Sequence, residues 1–286
     1  MIDLHTHSTA SDGTVRPQAL VEEAVKAGLS TIALTDHDTV DGVAEFRSAA
    51  EQTDIDAVPG VEVAARWYET SLHIVGLYIS PSDPDLLELL ARIRKNRQER
   101  NARILERLDN LGRPVSEATV TRAAGGTVIG RPHIARALVE HGHCRNSREA
   151  FEHYLGRRAP AYIRRELPLP HEAISRIHEA NGVAIWAHPV GIREQPYSKL
   201  RRVLEKLVDV GLDGIEAYYS EYTREQEKLM QDLAEKYALV TSGGSDFHGE
   251  NFPDIALGRG RGNLEVPDSI VRPLQQRAGM YATACS

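Results

Sequence analysis

Short apolar runs of strand length alternate with amphipathic segments of helix length from the first residues onward, and this alternation restricts the chain to folds in which helices wrap a sheet. Ile2–His5 precedes Arg16–Ala27, which Gly28 closes, and Thr31–Thr35 precedes Gly42–Gln52. The rhythm passes through Ala57–Val63 and Leu72–Ile79 and then breaks. It resumes with Val183–Ala187, Gly214–Ala217 and Leu239–Ser242, separated by helices near Ser198–Val210 and Thr223–Tyr237, giving seven strands. Runs such as Thr31-Ile32-Ala33-Leu34-Thr35 read as buried on both faces, which predicts a parallel sheet. This many βα units in an α/β chain can close into a barrel that presents ligands at the C-terminal ends of its strands.

The break begins at the turn-rich Ser80-Pro81-Ser82-Asp83-Pro84 and lasts to Pro168–Pro170. The expected organisation is therefore a barrel in two parts, residues 1–82 and 171–286, with an inserted all-helical cap over 83–170. The first inserted helix, about Pro84–Leu111, carries Leu86, Leu89, Leu90, Ile93, Ile104, Leu108 and Leu111 on one stripe, with Arg97, Arg100 and Asn101 in its middle. Either the helix changes packing partner there or those side chains face an anionic substrate.

Composition narrows the function. A 41% hydrophobic content over 286 residues suffices for a large core. Cys144 and Cys285 are too few and too far apart for a disulfide framework or a thiolate zinc site, which suits a reducing cytoplasm. No export signal or bilayer-length apolar run is visible. A net charge of −7 argues against a general nucleic-acid binder. The twelve histidines are the compositional oddity.

Their placement is informative. His5 and His7, two apart at the end of the first strand, point to one face. Asp12-Gly13 follows in the next loop, and the second strand ends Thr35-Asp36-His37-Asp38. Glu62 is an acid inside an apolar strand, where an unpaired carboxylate is costly and a metal would neutralise it. His73 starts the fourth strand, His188 ends the fifth in Trp186-Ala187-His188-Pro189, and the last runs into Gly243-Gly244-Ser245-Asp246-Phe247-His248. Six of the twelve histidines thus fall at strand ends together with three carboxylates. Such a nitrogen and oxygen set, without thiolate, exceeds one ion and suits two or three divalent ions, Mn²⁺ first and Fe²⁺ or Zn²⁺ as alternatives, with Glu62 or Asp246 able to bridge. Ions so placed supply a nucleophilic hydroxide and polarise a phosphoryl oxygen, so no serine or cysteine nucleophile is required. His141, His143, His153, His171 and His178 read as surface or structural groups, and Tyr218 and Tyr219 as aromatic packing ahead of stacking on a base.

The residues His5-x-His7, Ser11-Asp12-Gly13, Thr35-Asp36-His37-Asp38, Gly60-Val61-Glu62, His73, Ala187-His188-Pro189 and Gly244-Ser245-Asp246-x-His248 resemble the PHP family, named for polymerase and histidinol phosphatase. The resemblance implies a distorted (β/α)₇ barrel in which His5, His7, Asp12, His37, Glu62, His73, His188, Asp246 and His248 bind a trinuclear metal cluster. The inserted helices and Gly130-Arg131-Pro132-His133-Ile134-Ala135-Arg136 resemble the branch that acts on nucleoside 3′,5′-bisphosphates and, in some members, trims short RNA from its 5′ end.

Pro132 suits the first turn of a helix, where Arg131, His133 and backbone N–H groups can gather around a phosphate. Arg157, Arg158, Arg164 and Arg165 add a local anion funnel or a solvated surface. The expected activity is hydrolysis of the 3′-phosphate of a nucleoside 3′,5′-bisphosphate, with Arg97, Asn101, Arg131 and His133 holding the second phosphate or the nucleoside. His188, His73 and Asp38 are the candidates for supplying or relaying the leaving-group proton. Alternatives are 5′-3′ exonucleolysis of short RNA, hydrolysis of histidinol phosphate and a noncatalytic metal-stabilised binding module. The expected partners are a nucleotide or short RNA, with no membrane and no protein partner.

Overall fold

The computed structural model describes residues 1–124, 128–190 and 197–284; Cys285 lies outside them. In chain order the elements are β1 (Ile2–Asp3), α1 (Pro17–Ala27), β2 (Thr31–Leu34), α2 (Val43–Ala50), β3 (Asp56–Trp67), β4 (Thr70–Leu77), α3 (Pro84–Asn110), α4 (Glu117–Ala124), α5 (Arg131–Glu140), α6 (Ser147–Ala150), α7 (Pro170–Glu179), β5 (Val183–Trp186), α8 (Tyr197–Val208), β6 (Gly214–Tyr219), α9 (Arg224–Lys236), β7 (Val240–Gly244) and α10 (Val271–Ala284). Helix ends follow local chemistry. Pro17 opens α1, Gly28 closes it in the left-handed region at φ 74°, and Thr223 and Gln226 form a capping box on α9. No described helix is long and apolar enough to cross a membrane.

Among the described residues, seven strands form one sheet in sequence order. Beyond β1 the chain runs alongside β7. Leu4 N–H donates to Gly243 O at 3.0 Å, Asp246 N–H to His5 O at 2.9 Å and His7 N–H to Phe247 O at 2.9 Å. These bonds nearly close a seven-stranded barrel. Gly244 makes the approach possible, because a Cβ there would collide with the backbone and side chain of His5. Ile2, Leu4, Ala33, Val58, Val75, Leu77, Val183 and Ile185 fill a buried core that Leu264, Val266, Ile270 and Leu274 complete.

The expectation of a parallel sheet needs one correction. β4 runs antiparallel to both β3 and β5, while β1–β2–β3 and β5–β6–β7 are parallel. Only Tyr68 and Glu69 separate β3 from β4, and so short a link permits only an antiparallel hairpin. The reversal carries the start of β4 to the end of the barrel where the parallel strands finish. His73 reaches the site for that reason.

The chain divides into two compact units, Met1–Leu90 with Pro168–Ser286, and Ala91–Leu167. The second unit has its own core, including Ile104, Leu108, Ile134, Leu138 and Leu155. In α3, Leu86, Leu89, Leu90 and Ile93 are buried, as are Ile104 and Leu108, but Leu111 lies past the helix end and is 42% exposed, against its expected place on the stripe.

Candidate metal centre

Each strand end delivers its side chains through specific backbone contacts. Glu62 N–H donates to Asp36 O at 3.1 Å and Asp38 N–H to Glu62 O at 2.9 Å, so the end of β2 and the middle of β3 are locked in register. Ala187 N–H donates to His73 O at 3.1 Å, which ties β4 to the His188 turn. Asp38, His188 and Asp246 all have positive φ, of 54°, 29° and 57°. Non-glycine residues held in this region cost strain and cluster where a chain must turn side chains to a common point.

Glu62 lies at the middle of the cluster, fully buried. Its Oε1 is 2.7 Å from His73 Nδ1 and 3.0 Å from His188 Nε2. Its Oε2 is 2.7 Å from His37 Nδ1, 3.4 Å from His7 Nε2 and 3.5 Å from His5 Nε2. Asp246 Oδ1 lies 3.1 Å from His7 Nε2, and Asp12 Oδ1 lies 3.4 Å from His248 Nε2. Four overlapping groups have ligand atoms within 4.8 Å of one another: His7, Asp12, His37 and His248; His5, Glu62 and His188; His5, His7 and Asp246; His37, Glu62 and His73. Together they contain all nine residues expected to bind metal.

His5 Nε2, both ring nitrogens of His7 and Glu62 Oε2 are buried without a hydrogen bond of acceptable geometry, although each has polar neighbours. Buried polar atoms seldom go unpaired, since each costs about 1–3 kcal/mol. Buried nitrogen and oxygen atoms converging with so little hydrogen bonding fit divalent cations bound by imidazole and carboxylate.

The charge pattern agrees. Burial pushes the Glu62 carboxyl up, but His37, His73 and His5 outweigh it and hold it well below the ordinary range. Burial likewise opposes ionisation of Asp246, and His5 and His7 overcome it. Burial works against a proton on His37, yet Glu62 and Asp12 raise it to about 10. His5 is raised against burial by Glu216, Asp246 and Glu62. Burial, with His248 and His37 alongside, pushes His7 down to about 3. The buried carboxylates thus favour positive charge at His5 and His37, the place a divalent cation would take.

A supporting layer surrounds these groups. Glu216 Oε1 is 2.9 Å from His5 Nδ1, and its Oε2 accepts from His188 N–H at 2.6 Å. Tyr219 donates to Asp246 Oδ2 at 2.9 Å. Tyr219, read from the sequence as aromatic packing ahead of base stacking, thus supports a candidate ligand instead. Asp36 accepts from Ser8 N–H, Ser8 Oγ and Ser11 Oγ, holding the loop that carries Asp12. Sequence reasoning missed Glu216, although an acid within the apolar strand Gly214–Ala217 is the same signal that marked Glu62.

His73 and His188, two of the candidates for proton transfer, lie in the ligand groups. Asp38, the third, accepts from Ala64 N–H at 3.0 Å and stands outside them. Among the remaining histidines, His178 pairs with Asp213 at 2.7 Å, and His143 Nε2 is 2.9 Å from Pro114 O.

Within the second unit, Arg100 donates to Asn101 Oδ1 at 2.6 Å and Asn101 Nδ2 donates to Ile129 O at 2.9 Å. Arg131 donates to Leu155 O at 3.0 Å with its guanidinium over the rings of Tyr162 and Phe151. His133 Nδ1 accepts from Gly130 N–H at 3.0 Å and so caps the start of α5. Burial, then the charges of Arg165, Arg131 and Arg97, lower the Arg100 guanidinium to about 9. Positive groups therefore converge on Arg100, while Arg157, Arg158 and Arg164 are exposed.

The model of the PHP domain matches residues 3–156. A 5′-3′ exoribonuclease of Haemophilus influenzae is 36% identical over 272 residues, spanning 94% of this chain and 96% of that protein. A 3′,5′-nucleoside bisphosphate phosphatase of Chromobacterium violaceum is 32% identical over 283 residues, spanning 96% and 94%. A crystal structure from Bifidobacterium adolescentis, assigned as a metal-dependent phosphoesterase, superposes with a TM-score of 0.80 at 32% identity over 96% of each chain. With the nearly closed barrel and the histidine and carboxylate cluster at its mouth, these likenesses establish that the chain belongs to the PHP domain family.

Proposed function

We propose that this protein is a metal-dependent phosphoesterase that removes the 3′-phosphate of nucleoside 3′,5′-bisphosphates, adenosine 3′,5′-bisphosphate among them, leaving the 5′-monophosphate. The carrying observation is the set of overlapping ligand groups at the barrel mouth, with His5 Nε2, both His7 nitrogens and Glu62 Oε2 buried without a hydrogen bond of acceptable geometry. His5, His7, Asp12, His37, Glu62, His73, His188, Asp246 and His248 would hold two or three divalent ions, with Mn²⁺ first and Fe²⁺ or Zn²⁺ as alternatives for this nitrogen and oxygen set. Bound ions supply Lewis acidity and a water nucleophile of lowered pKa. The chain's own part is to orient them: Glu216 fixes His5 and the His188 backbone, and Tyr219 fixes Asp246.

Arg97, Asn101, Arg131 and His133 are assigned to the second phosphate or the nucleoside. The support is the proximity of the Arg97, Arg131 and Arg165 guanidiniums to Arg100, a local concentration of positive charge of the kind that attracts phosphate. A histidine committed to metal is a poor acid, so of His188, His73 and Asp38 the relay of a proton to the departing O3′ falls to Asp38.

Exonucleolysis from the 5′ end is the second reading, favoured by the likeness to the Haemophilus influenzae exoribonuclease. It breaks the same P–O3′ bond with a longer chain on the phosphate. The test is phosphate or nucleotide release by Mn²⁺-loaded protein from adenosine 3′,5′-bisphosphate, 3′-AMP, 5′-AMP, histidinol phosphate and a 5′-phosphorylated RNA trinucleotide. Preference for the bisphosphate, lost on chelation and restored by Mn²⁺, is expected. Hydrolysis that survives chelation would refute the mechanism.

A further inference from the structure

A cavity of about 300 Å³ in the barrel unit opens beside His73 and His188, which both lie on the Oε1 side of Glu62. Its lining includes Trp67, Trp186, Leu72, Val203 and Lys199. Trp67 ends β3 and pairs with Thr70 across the hairpin. Its indole is held edge-on to Tyr68 at 5.4 Å, with Lys206 Nζ 5.9 Å from its centroid. Trp186 is buried and Lys199 is exposed on α8.

An aromatic wall with an exposed cation beside it is the combination that binds single-stranded nucleic acid, through base stacking and backbone charge. The volume is at the small end for ligand sites and suits one planar ring system. None of the groups assigned to the 5′ side of the substrate, Arg97, Asn101, Arg131 and His133, lines this cavity. What remains to fill it, next to the reacting phosphate, is the group esterified on that phosphate's other side. A bisphosphate has nothing there. An oligonucleotide has its second nucleoside.

We propose that this cavity is a subsite for the nucleobase on the 3′ side of the scissile phosphate, stacked on Trp67 with Lys199 beside the following phosphate, so that the barrel accepts short RNA diesters beside the bisphosphate. The inference rests on the phosphoesterase reading and adds to it the residues that would discriminate a diester from the bisphosphate. It is tested by comparing kcat/KM for a 5′-phosphorylated triadenylate and for adenosine 3′,5′-bisphosphate in the Mn²⁺-loaded wild type, Trp67→Ala, Trp67→Phe and Lys199→Ala. Removing one stacked ring should lower the ratio of triadenylate to bisphosphate about tenfold. Trp67→Phe should restore most of it, and Lys199→Ala, on a surface position that leaves the hairpin intact, should lower the ratio several-fold.

Binding is read separately with a trinucleotide carrying 2-aminopurine at its second position and a non-cleavable methylenephosphonate first linkage. Its fluorescence should be quenched by the wild type and less so by Trp67→Ala. An unchanged ratio, including equal loss on both substrates as if the first base sat there, would overturn the subsite, as would absence of quenching. A wild type that hydrolyses neither substrate would instead refute the phosphoesterase reading, and quenching would still decide the subsite.

Discussion

Glu216→Gln isolates the layer behind the metal ligands. Glu216 is 2% exposed and accepts on both oxygens, from His5 Nδ1 at 2.9 Å and from His188 N–H at 2.6 Å. A glutamine of the same shape has one acceptor oxygen, so its NH₂ must confront one of these two donors. Placing the oxygen on the His188 amide turns NH₂ toward His5 Nδ1 and favours the tautomer that protonates Nε2, the nitrogen facing Glu62 and Asp246. The opposite placement leaves the His188 amide unpaired and loosens a turn already at positive φ.

Either way one charge-assisted buried hydrogen bond is lost, about 1.5–3 kcal/mol, or roughly 10- to 100-fold in an equilibrium constant. That range matches the usual effect of removing an outer-shell partner on metal affinity. Titrating chelated protein with Mn²⁺ against a fluorescent chelator should show this loss. Affinity within twofold of the wild type would refute the claim that Glu216 sets the His5 tautomer and the His188 turn.

Three further outcomes follow from the same geometry. Without metal, the proton affinity that Glu62 and Asp12 confer on His37 contributes stability that is complete below its unfolded value of 6.5 and is lost as pH rises toward about 10, while Glu62's depressed value contributes stability that is lost below 4.5. The Tm of chelated protein should therefore peak between those unfolded values and fall on the alkaline side, whereas Mn²⁺-loaded protein should rise over the same alkaline interval because its ligands bind deprotonated; parallel curves would contradict this. Asp38→Asn keeps an acceptor for Ala64 N–H, and should slow bisphosphate hydrolysis about 100-fold but nitrophenyl phosphate hydrolysis, whose leaving group needs no proton, by less than about tenfold. Equal losses on the two substrates would remove Asp38 from proton transfer. Tyr219→Phe deletes one donor to Asp246, and about tenfold weaker Mn²⁺ binding with a nearly unchanged Tm of the chelated protein is expected; a large fall in that Tm would mean the phenol is chiefly structural.

The α/β alternation, the strand ends and the nine candidate ligands were legible along the chain because each depends on local pattern: alternating burial, turn residues, and histidine or acid where an apolar strand finishes. Glu62 stood out since a carboxylate inside such a strand is costly without compensation. Other features depend on neighbours far apart in sequence. The direction of β4 follows from a two-residue link that looked like any other gap between strands, and it alone brings His73 to the cluster. Glu216 meets His5 across 211 positions and Tyr219 meets Asp246 across 27, so only closure of β7 against β1 and the pairing of β6 with β7 give those side chains their roles. The convergence of cations on Arg100 likewise appears only when α3, α5 and the segment bearing Arg165 fold together, since desolvation and charge proximity belong to assembled space and leave no periodic trace in the sequence.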